Sequence, residues 1–501
     1  MRWTTAWALV LVWVMPGFAQ LRVGSLFQDH AVLQRERAVP VWGEASPGEK
    51  VAVSFALQRV EAVADSSGRW RIELAPMEAN ATGARLQVET SREVRVFEDV
   101  VVGDVWLCAG QSNMEWSVAR ARDAQTEIAA ADHPLIRHIK IANFSSRSEL
   151  QDVRGRWRVC SPETVGNFSA AAYYFARELT TRTKVPIGLI NATWGGTPIE
   201  AWLSEPTLLS SPEFDVVFTR WAEAVATFPE RTRLFKRWND AKREAEAKGE
   251  MFSEPRPRDP SIDYRRQPAG LFGGMVAPLT RYPLRGIAWY QGEDNASRAR
   301  EYRRLLETWV TDWRKHWPEA PILLVQLPNY RAGNADGTSW ARLREAQAQV
   351  AGATAGVTLV VTLDVGDPND VHPLDKQSIG RRLALAARSA VYGETIVATG
   401  PRFESMRIED GELVCVFSSA EGLVGKPGEF AIAGEDRRFF PAEMRIEGDA
   451  IRLWSSQVSQ PVAVRYAWRN APEAGVFNAA GLPLAPFRTD DWPEERGEPK
   501  R

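Results

Sequence analysis

The sequence predicts a parallel α/β core held between two β domains. Three observations carry that expectation. Residues 21–98 read as short β-like runs broken by turn residues, residues 100–392 alternate apolar strands with helices, and residues 396–488 return to β-like runs. Strands alternating with helices argue a parallel sheet; short strands separated by regular turn signals argue a β-sandwich. The chain has 501 residues, and about 150 residues per domain is the usual scale, so three domains fit the length.

In chain order, residues 1–19 come first. Arg2 precedes an apolar run from Ala6 to Met15, then Pro16, Gly17 and the small Ala19. This is the pattern of a secretory signal peptide cleaved after Ala19; a buried helix or an uncleaved anchor is the alternative. The run is too short for a membrane span, and no later stretch approaches about 18 uninterrupted apolar residues. The expectation is a secreted or periplasmic protein with no stable membrane insertion after cleavage.

Residues 20–98 form the first β domain, with runs at 39–42, 50–55 and 69–74 separated by Ser46-Pro-Gly48 and Asp65-Ser-Ser-Gly68. Residues 99–393 form the core. Strands are expected at 100–107, 135–141, 186–190, 284–290, 322–326 and 357–363, with helices at 167–183, 340–350 and 375–391. A further helix carries Tyr302, Leu305, Leu306, Trp309, Val310 and Trp313 at i, i+3, i+4 spacing, a buried face. Residues 205–268 are a charged insertion with Pro255, Pro257 and Pro260 near its end, expected to roof one side of a site with helices. Residues 394–490 form the second β domain, with runs at 412–417 and 462–467, and 491–501 are a charged tail.

Composition excludes several classes. With 62 basic and 64 acidic residues there is no electrostatic reason to expect nucleic acid as a partner. Cys108, Cys160 and Cys415 cannot make a disulfide scaffold. They read as buried small hydrophobes, with one disulfide and a leftover thiol as the alternative. No Cys-x-x-Cys or zinc spacing occurs, and neither metal nor cofactor is expected.

The chemistry starts at Ser112, in Ala109-Gly-Gln-Ser-Asn-Met114 after a buried strand. A strand, a glycine turn and a serine at a helix start place a hydroxyl beside free N–H groups; a helix-capping serine is the plain alternative. Met114 stands where G-x-S-x-G has its second glycine, so the α/β-hydrolase elbow is not supported. A serine nucleophile needs a base, and there are only five histidines. His30 lies in the first β domain. His133 and His138 lie near the start of a strand, the wrong end for a site in an open α/β sheet. His316 lies near the end of the Trp-rich helix. His372 alone follows a strand's C-terminal end, with Asp364, Asp367, Asp370 and Asp375 in the same loop. Asp370, two residues earlier, can face the same way in an extended segment; solvated acids, helix caps or a divalent-ion loop are the alternatives, although calcium-loop spacing is absent. Two more strand ends carry polar clusters, Asn191-Ala-Thr-Trp-Gly-Gly-Thr197 and Gln291-Gly-Glu-Asp-Asn295. Glycine pairs let backbone N–H groups approach a substrate, and an amide side chain can donate to an oxyanion.

Gly110-Gln-Ser-Asn-Met114, Trp194-Gly-Gly-Thr197 with Glu200 and Trp202, Trp289-Tyr-Gln-Gly-Glu293 and Asp370-Val-His-Pro373 together resemble the sialate O-acetylesterase family of SGNH-type hydrolases. The flanks agree at Phe168-Ser-Ala-Ala-Ala-Tyr-Tyr-Phe-Ala176, Met275-Val-Ala-Pro-Leu279 and Asn478-Ala-Ala-Gly-Leu-Pro483, so the likeness runs from about residue 21 to 490. It implies a flavodoxin-like three-layer α/β/α core flanked by β-sandwich-like domains, and deacetylation of an O-acetylated carbohydrate. It implies Ser112 as nucleophile and His372 as base. Asp370 is the expected acid, although SGNH enzymes place it three residues before the histidine, where Asn369 stands here. The implied oxyanion donors are the N–H groups of Ser112 and of Gly195 or Gly196, with the amide of Gln291 or, alternatively, Asn295. Glu200, Trp202 and Glu293 are implied on the substrate side. Acetylated xylan is an alternative substrate within the same family. Two other classes stay in view: a carbohydrate-binding protein using some of the 20 tryptophans, and a glycosidase using Glu200 and Glu293 as paired carboxylates.

Overall fold

A single strand of 17 residues, β1 (Val94–Gly110), ties the first β domain to the core. The computed structural model describes residues 20–257, 261–332 and 337–492; the expected signal peptide and nearly all of the charged tail lie outside them. Up to Gly103, β1 pairs with the strands Asn80–Glu89 and Val32–Gln34. From Asp104 onward its neighbours belong to the core. The boundary expected at residue 98 therefore falls inside a strand. Asp104 marks the changeover: its fully buried carboxylate accepts from Arg35 Nε at 2.9 Å and from the Tyr392 hydroxyl at 2.9 Å.

The core follows in order: α1 (Ser112–Glu115), β2 (His133–Lys140), β3 (Trp157–Cys160), α2 (Ala170–Thr183), β4 (Ile187–Thr193), α3 (Asp215–Ala226), α4 (Phe228–Lys248), β5 (Gly286–Tyr290), α5 (Ala299–Arg314), β6 (Ile322–Val325), α6 (Ser339–Ala353), β7 (Val357–Val360) and α7 (Lys376–Ala390). The strand order is β3-β2-β4-β1-β5-β6-β7. All these pairings are parallel except β2 with β3, an antiparallel edge that sequence periodicity did not announce. From β1 the chain passes to β2 and the edge β3, returns to β4 beside β1, and then winds outward on the other side through β5, β6 and β7. Right-handed crossovers then place helices on both faces, and α2 packs on α7 while α5 packs on α6. Such a reversal opens a crevice at the strands' C-terminal ends.

The helix face expected from its spacing is buried: Tyr302, Leu305, Leu306, Trp309, Val310 and Trp313 of α5 all lie inward. Trp309 stacks on Trp289 of β5 with ring centroids 4.3 Å apart and meets Trp313 at 4.6 Å. These tryptophans are core. The insertion is helical, as expected, in α3 and α4. The three cysteines are buried and unpaired.

The C-terminal region holds two four-stranded sheets, one centred on Glu412–Ser418 and one on Phe430–Ala433. Phe403, Phe417 and Phe487 pack together there. This region docks on the core through Arg344 of α6, whose buried guanidinium donates to the Asn470 carbonyl at 3.2 Å, and through the Arg488–Glu345 ion pair at 2.8 Å. No helix among the described residues is long and apolar enough to cross a membrane.

Trp309→Ala removes the centre of the tryptophan stack and is expected to cost about 3–5 kcal/mol of stability. A guanidinium unfolding midpoint unchanged from the parent protein would show that the stack does not hold α5 on the sheet.

Candidate active site

Three strand ends lie level because of register. Gly110 pairs with Thr193 of β4 on one side and with Tyr290 of β5 on the other. The loops carrying Ser112, Gly195-Gly196 and Gln291–Asn295 thus leave the sheet at one height. Gly110 has φ of +133°, and a Cβ there would sit 2.1 Å from the Tyr290 carbonyl oxygen, so only glycine makes this turn. The Gly110 carbonyl accepts the Trp194 N–H at 3.1 Å, which couples the Ser112 turn to the glycine-pair loop. The helix expected after Ser112 is a single turn, so what it offers at this point is local N–H groups and no long-helix dipole.

His372 arrives from the far side of the sheet, on the loop between β7 and α7. Its Nε2 lies 3.0 Å from Ser112 Oγ. Of the four loop carboxylates, three are engaged elsewhere. Asp364 takes a two-pronged bond from Arg382 at 2.5 and 2.6 Å, Asp367 accepts the Asn369 N–H at 2.8 Å, and Asp375 caps α7 through the Ser378 N–H at 2.9 Å. Asp370 reaches His372: Oδ1 is 3.3 Å from Nδ1 and accepts the His372 backbone N–H at 2.8 Å. The Asp370 side chain is 53% exposed, and an ion pair so open to water is worth about 0–1 kcal/mol. The imidazole also stacks on Trp116, with centroids 4.6 Å apart and planes at 21°, a contact of about 0.5–1.5 kcal/mol. Burial lowers the His372 pKa below 6.5, and Asp370 partly offsets that.

Beneath this pair lies a buried polar cluster that sequence reasoning missed. Asn113 donates to the Val371 carbonyl at 2.9 Å and to Glu293 Oε1 at 2.6 Å, and its Oδ1 accepts from Lys376 Nζ at 2.5 Å. The residue after the serine therefore holds the residue before the histidine. Burial pushes the Lys376 ammonium down to about 7 and the Glu293 carboxyl up. The only sequence signal was the position of Asn113 next to Ser112; nothing marked Lys376.

Several expected roles are not matched by placement. Both N–H bonds of the Gln291 amide are engaged, at 3.1 Å to the Thr197 carbonyl and at 2.8 Å to Asn295 Oδ1. Asn295 is likewise bound into the interior, accepting the Ile199 N–H at 2.9 Å and donating to Glu200 Oε2 at 2.8 Å. Both N–H groups of Gln291 and one of Asn295 are thus engaged, and together the two amides brace the glycine-pair loop. Trp202 is fully buried against Trp289 and cannot touch a ligand. Glu293 is half-buried, and its carboxylate bonds Asn113 under the site. Glu200 is held at 3.1 Å by Arg220 and at 3.0 Å by Arg298. The paired-carboxylate alternative thus loses both of its candidates to interior bonds.

Gly195 packs against Ser112: a Cβ on it would lie 3.2 Å from the Ser112 Cβ. Its N–H donates to Glu115 Oε2 at 2.7 Å, and Glu115 pairs with Lys140 at 3.0 Å. Gly196 has φ of +70° and turns toward Arg265. Beyond it opens a cavity of about 880 Å³, walled by Trp194, Glu200, Arg220, Trp221, Tyr264 and Arg265 among others. Neither Ser112 nor His372 lines it. Its wall reaches the glycine pair through Arg265, which donates to the Gly195 carbonyl at 3.2 Å. Part of α3 and the segment 261–266 line its outer wall. Among the described residues no cluster of histidine, cysteine or carboxylate side chains is built to hold a metal.

A serine hydroxyl against an imidazole can carry out acyl transfer. Comparison with known proteins points the same way. A family model for carbohydrate esterases, the sialic acid-specific acetylesterases, matches residues 102–235 and 265–389. The sialate O-acetylesterase of Mus musculus is 27% identical over 518 residues, covering 93% of this chain and 94% of that protein. The human sialate O-acetylesterase is 26% identical, with 93% and 92% covered. Among solved structures, a carbohydrate acetylesterase from Xanthomonas citri aligns with a TM-score of 0.82 and 35% identity, over 94% of this chain and all of that one.

Gly195→Ala forces Ser112 or Glu115 to shift by a few tenths of an ångström. Covalent labelling of Ser112 by a fluorophosphonate is expected to slow about tenfold in this variant, since small misplacements at a reacting centre are costly. Labelling at the parental rate would show that Gly195 does not set the position of Ser112.

Proposed function

We propose, from the premise that this chain belongs to the sialic acid-specific acetylesterase family of carbohydrate esterases, that it is an exported SGNH-type serine esterase that removes O-acetyl groups from sugars, sialic acids first among them. The chain is a carboxylic ester hydrolase of the sialate O-acetylesterase type. The observation that carries the mechanism is the 3.0 Å contact between His372 Nε2 and Ser112 Oγ. The order of β4-β1-β5-β6-β7 supports the flavodoxin-like SGNH assignment, because their order along the chain reads 2-1-3-4-5. Export rests on the pattern of residues 1–19.

In this reading Ser112 Oγ attacks the acetyl carbonyl while its proton passes to His372 Nε2. The tetrahedral intermediate collapses as the imidazolium returns that proton to the sugar oxygen, which leaves as the alcohol. Water, deprotonated by the same imidazole, then attacks the acetyl-serine, and acetate departs as the imidazolium returns that proton to Ser112 Oγ. Asp370 faces Nδ1 and favours the imidazolium form. The N–H groups of Ser112 and Gly196 are the oxyanion donors; that of Gly195 joins them when the substrate oxygen takes the place of Glu115 Oε2. The sugar lies toward the cavity, with Trp194, Trp221 and Tyr264 offering apolar faces to the ring.

Ser112→Ala is expected to abolish hydrolysis of an aryl acetate, and a variant as active as the parent would sink the assignment. Acetate release from O-acetylated sialic acid is expected to exceed release from acetylated xylan oligosaccharides; the reverse order would move the substrate to plant polysaccharide. Because His372 must be neutral to act, kcat/KM is expected to fall on the acid side with a midpoint below 6.5. Asp370→Asn removes a group that raises the His372 pKa, so the midpoint should move lower still. An upward move would exclude Asp370 as the imidazole's partner.

A further inference from the structure

The pairing of Asp370 with His372 leaves the imidazole plane weakly held. Asp370 Oδ1 is shared between the His372 backbone N–H and Nδ1, and its side chain stands in water. The opposite is true of Trp116. Its indole is buried, and its Nε1–H donates to the Arg120 carbonyl at 2.9 Å. The Trp116 carbonyl accepts the Ala170 N–H at 2.8 Å, which fixes the residue to the start of α2. The Arg120 guanidinium lies 3.6 Å from the Trp116 ring centroid and His372 lies at 4.6 Å. Two groups so close to one ring cannot share a face, so the indole is clamped between them.

We propose that Trp116 is the positioning residue for the general base: its indole face sets the plane of the His372 imidazole so that Nε2 meets Ser112 Oγ. The inference rests on the serine–histidine reading above. A flat, buried, hydrogen-bonded ring restricts imidazole rotation about χ2 in a way that one exposed carboxylate does not. It also dries one face of the ring. The charged groups around His372 are Asp370, Lys376 and Arg120, and none of them replaces the indole as a surface.

The test compares Trp116→Leu, Trp116→Phe and Ser112→Ala in the full-length enzyme on an aryl acetate. Trp116→Leu is expected to lower kcat at least about tenfold with KM within about twofold of the parent, as loss of orientation predicts. Its acid limb should also rise toward the ordinary histidine value of 6.5, because the ring becomes hydrated. Trp116→Phe keeps a stacking face and should recover most of kcat and the low acid limb. If Trp116→Leu does not fold, Trp116→Phe decides alone: kcat within about threefold supports the proposal, and a larger loss in a folded variant overturns it. Parental kcat in Trp116→Leu overturns it as well. Ser112→Ala separates the two levels. Activity surviving there sinks the serine–histidine reading itself; activity lost there, with Trp116→Leu unimpaired, sinks only the positioning role.

Discussion

The close approach of Gly110 to the Tyr290 carbonyl is the contact on which the site is built. Any side chain at position 110 would collide with backbone, and backbone in a central sheet has nowhere to go. Because Gly110 stands level with both Thr193 and Tyr290, the same contact sets the height of three loops at once. Ser112, the glycine pair and the Gln291 loop converge because three parallel strands end together, and the reversal of winding at β1 opens the crevice into which they project. The long strand β1 extends the argument backward. Its first half is locked into the N-terminal sheet, and the buried Asp104 with Arg35 and Tyr392 holds the point where it enters the core.

Much of this was legible in the residues. Alternating apolar strands and helices marked the parallel strands of the core and the helices between them, since burial on both faces of a parallel sheet leaves near-continuous apolar runs; the antiparallel edge β3 carries no such run. The scarcity of histidine made His372 visible by its place after a strand, and the carboxylate two residues earlier was readable from extended geometry. What was not legible is which way a polar side chain turns. Gln291, Asn295 and Glu200 have the right chemistry at the right strand ends, and all three point into the interior. Their identities say that they bond; only packing decides to what. Lys376 shows the same limit from the other side. One residue past a cap, it looks like an ordinary first-turn lysine, yet the loop carrying His372 folds over it and buries it on Asn113. The tryptophans of α5 are the opposite case, their burial readable from the i, i+3, i+4 spacing. Trp289, Trp309 and Trp313 fill the space between helix and sheet.

The polar interior has a common logic. An unpaired buried amide or carboxylate is costly, so each that is present must be matched by others, and the matches join loops that are distant in sequence. Asn113 links the serine turn to the histidine loop. Gln291 and Asn295 link the β5 loop to the glycine-pair loop at Thr197 and Ile199. Buried ionic groups contribute little net stability compared with apolar packing. Their effect here is geometric, since every bond removes one way for a loop to drift away from Ser112.

Glu200 carries that logic out to the cavity. Its Oε2 accepts from Asn295, its Oε1 accepts from Arg298 and from Arg220 of α3, and Arg220 also holds Glu301 at 2.7 Å. Five residues after Gly195, one carboxylate therefore fastens the inserted helix to the α5 side of the core. The cavity wall and the loop that presents Gly195 and Gly196 are joined through it. A change in the insertion that displaces Arg220 leaves Glu200 short of a partner and loosens the Asn295 bond in turn. The cavity wall and the glycine-pair loop are thus mechanically coupled, because the same buried carboxylate holds both.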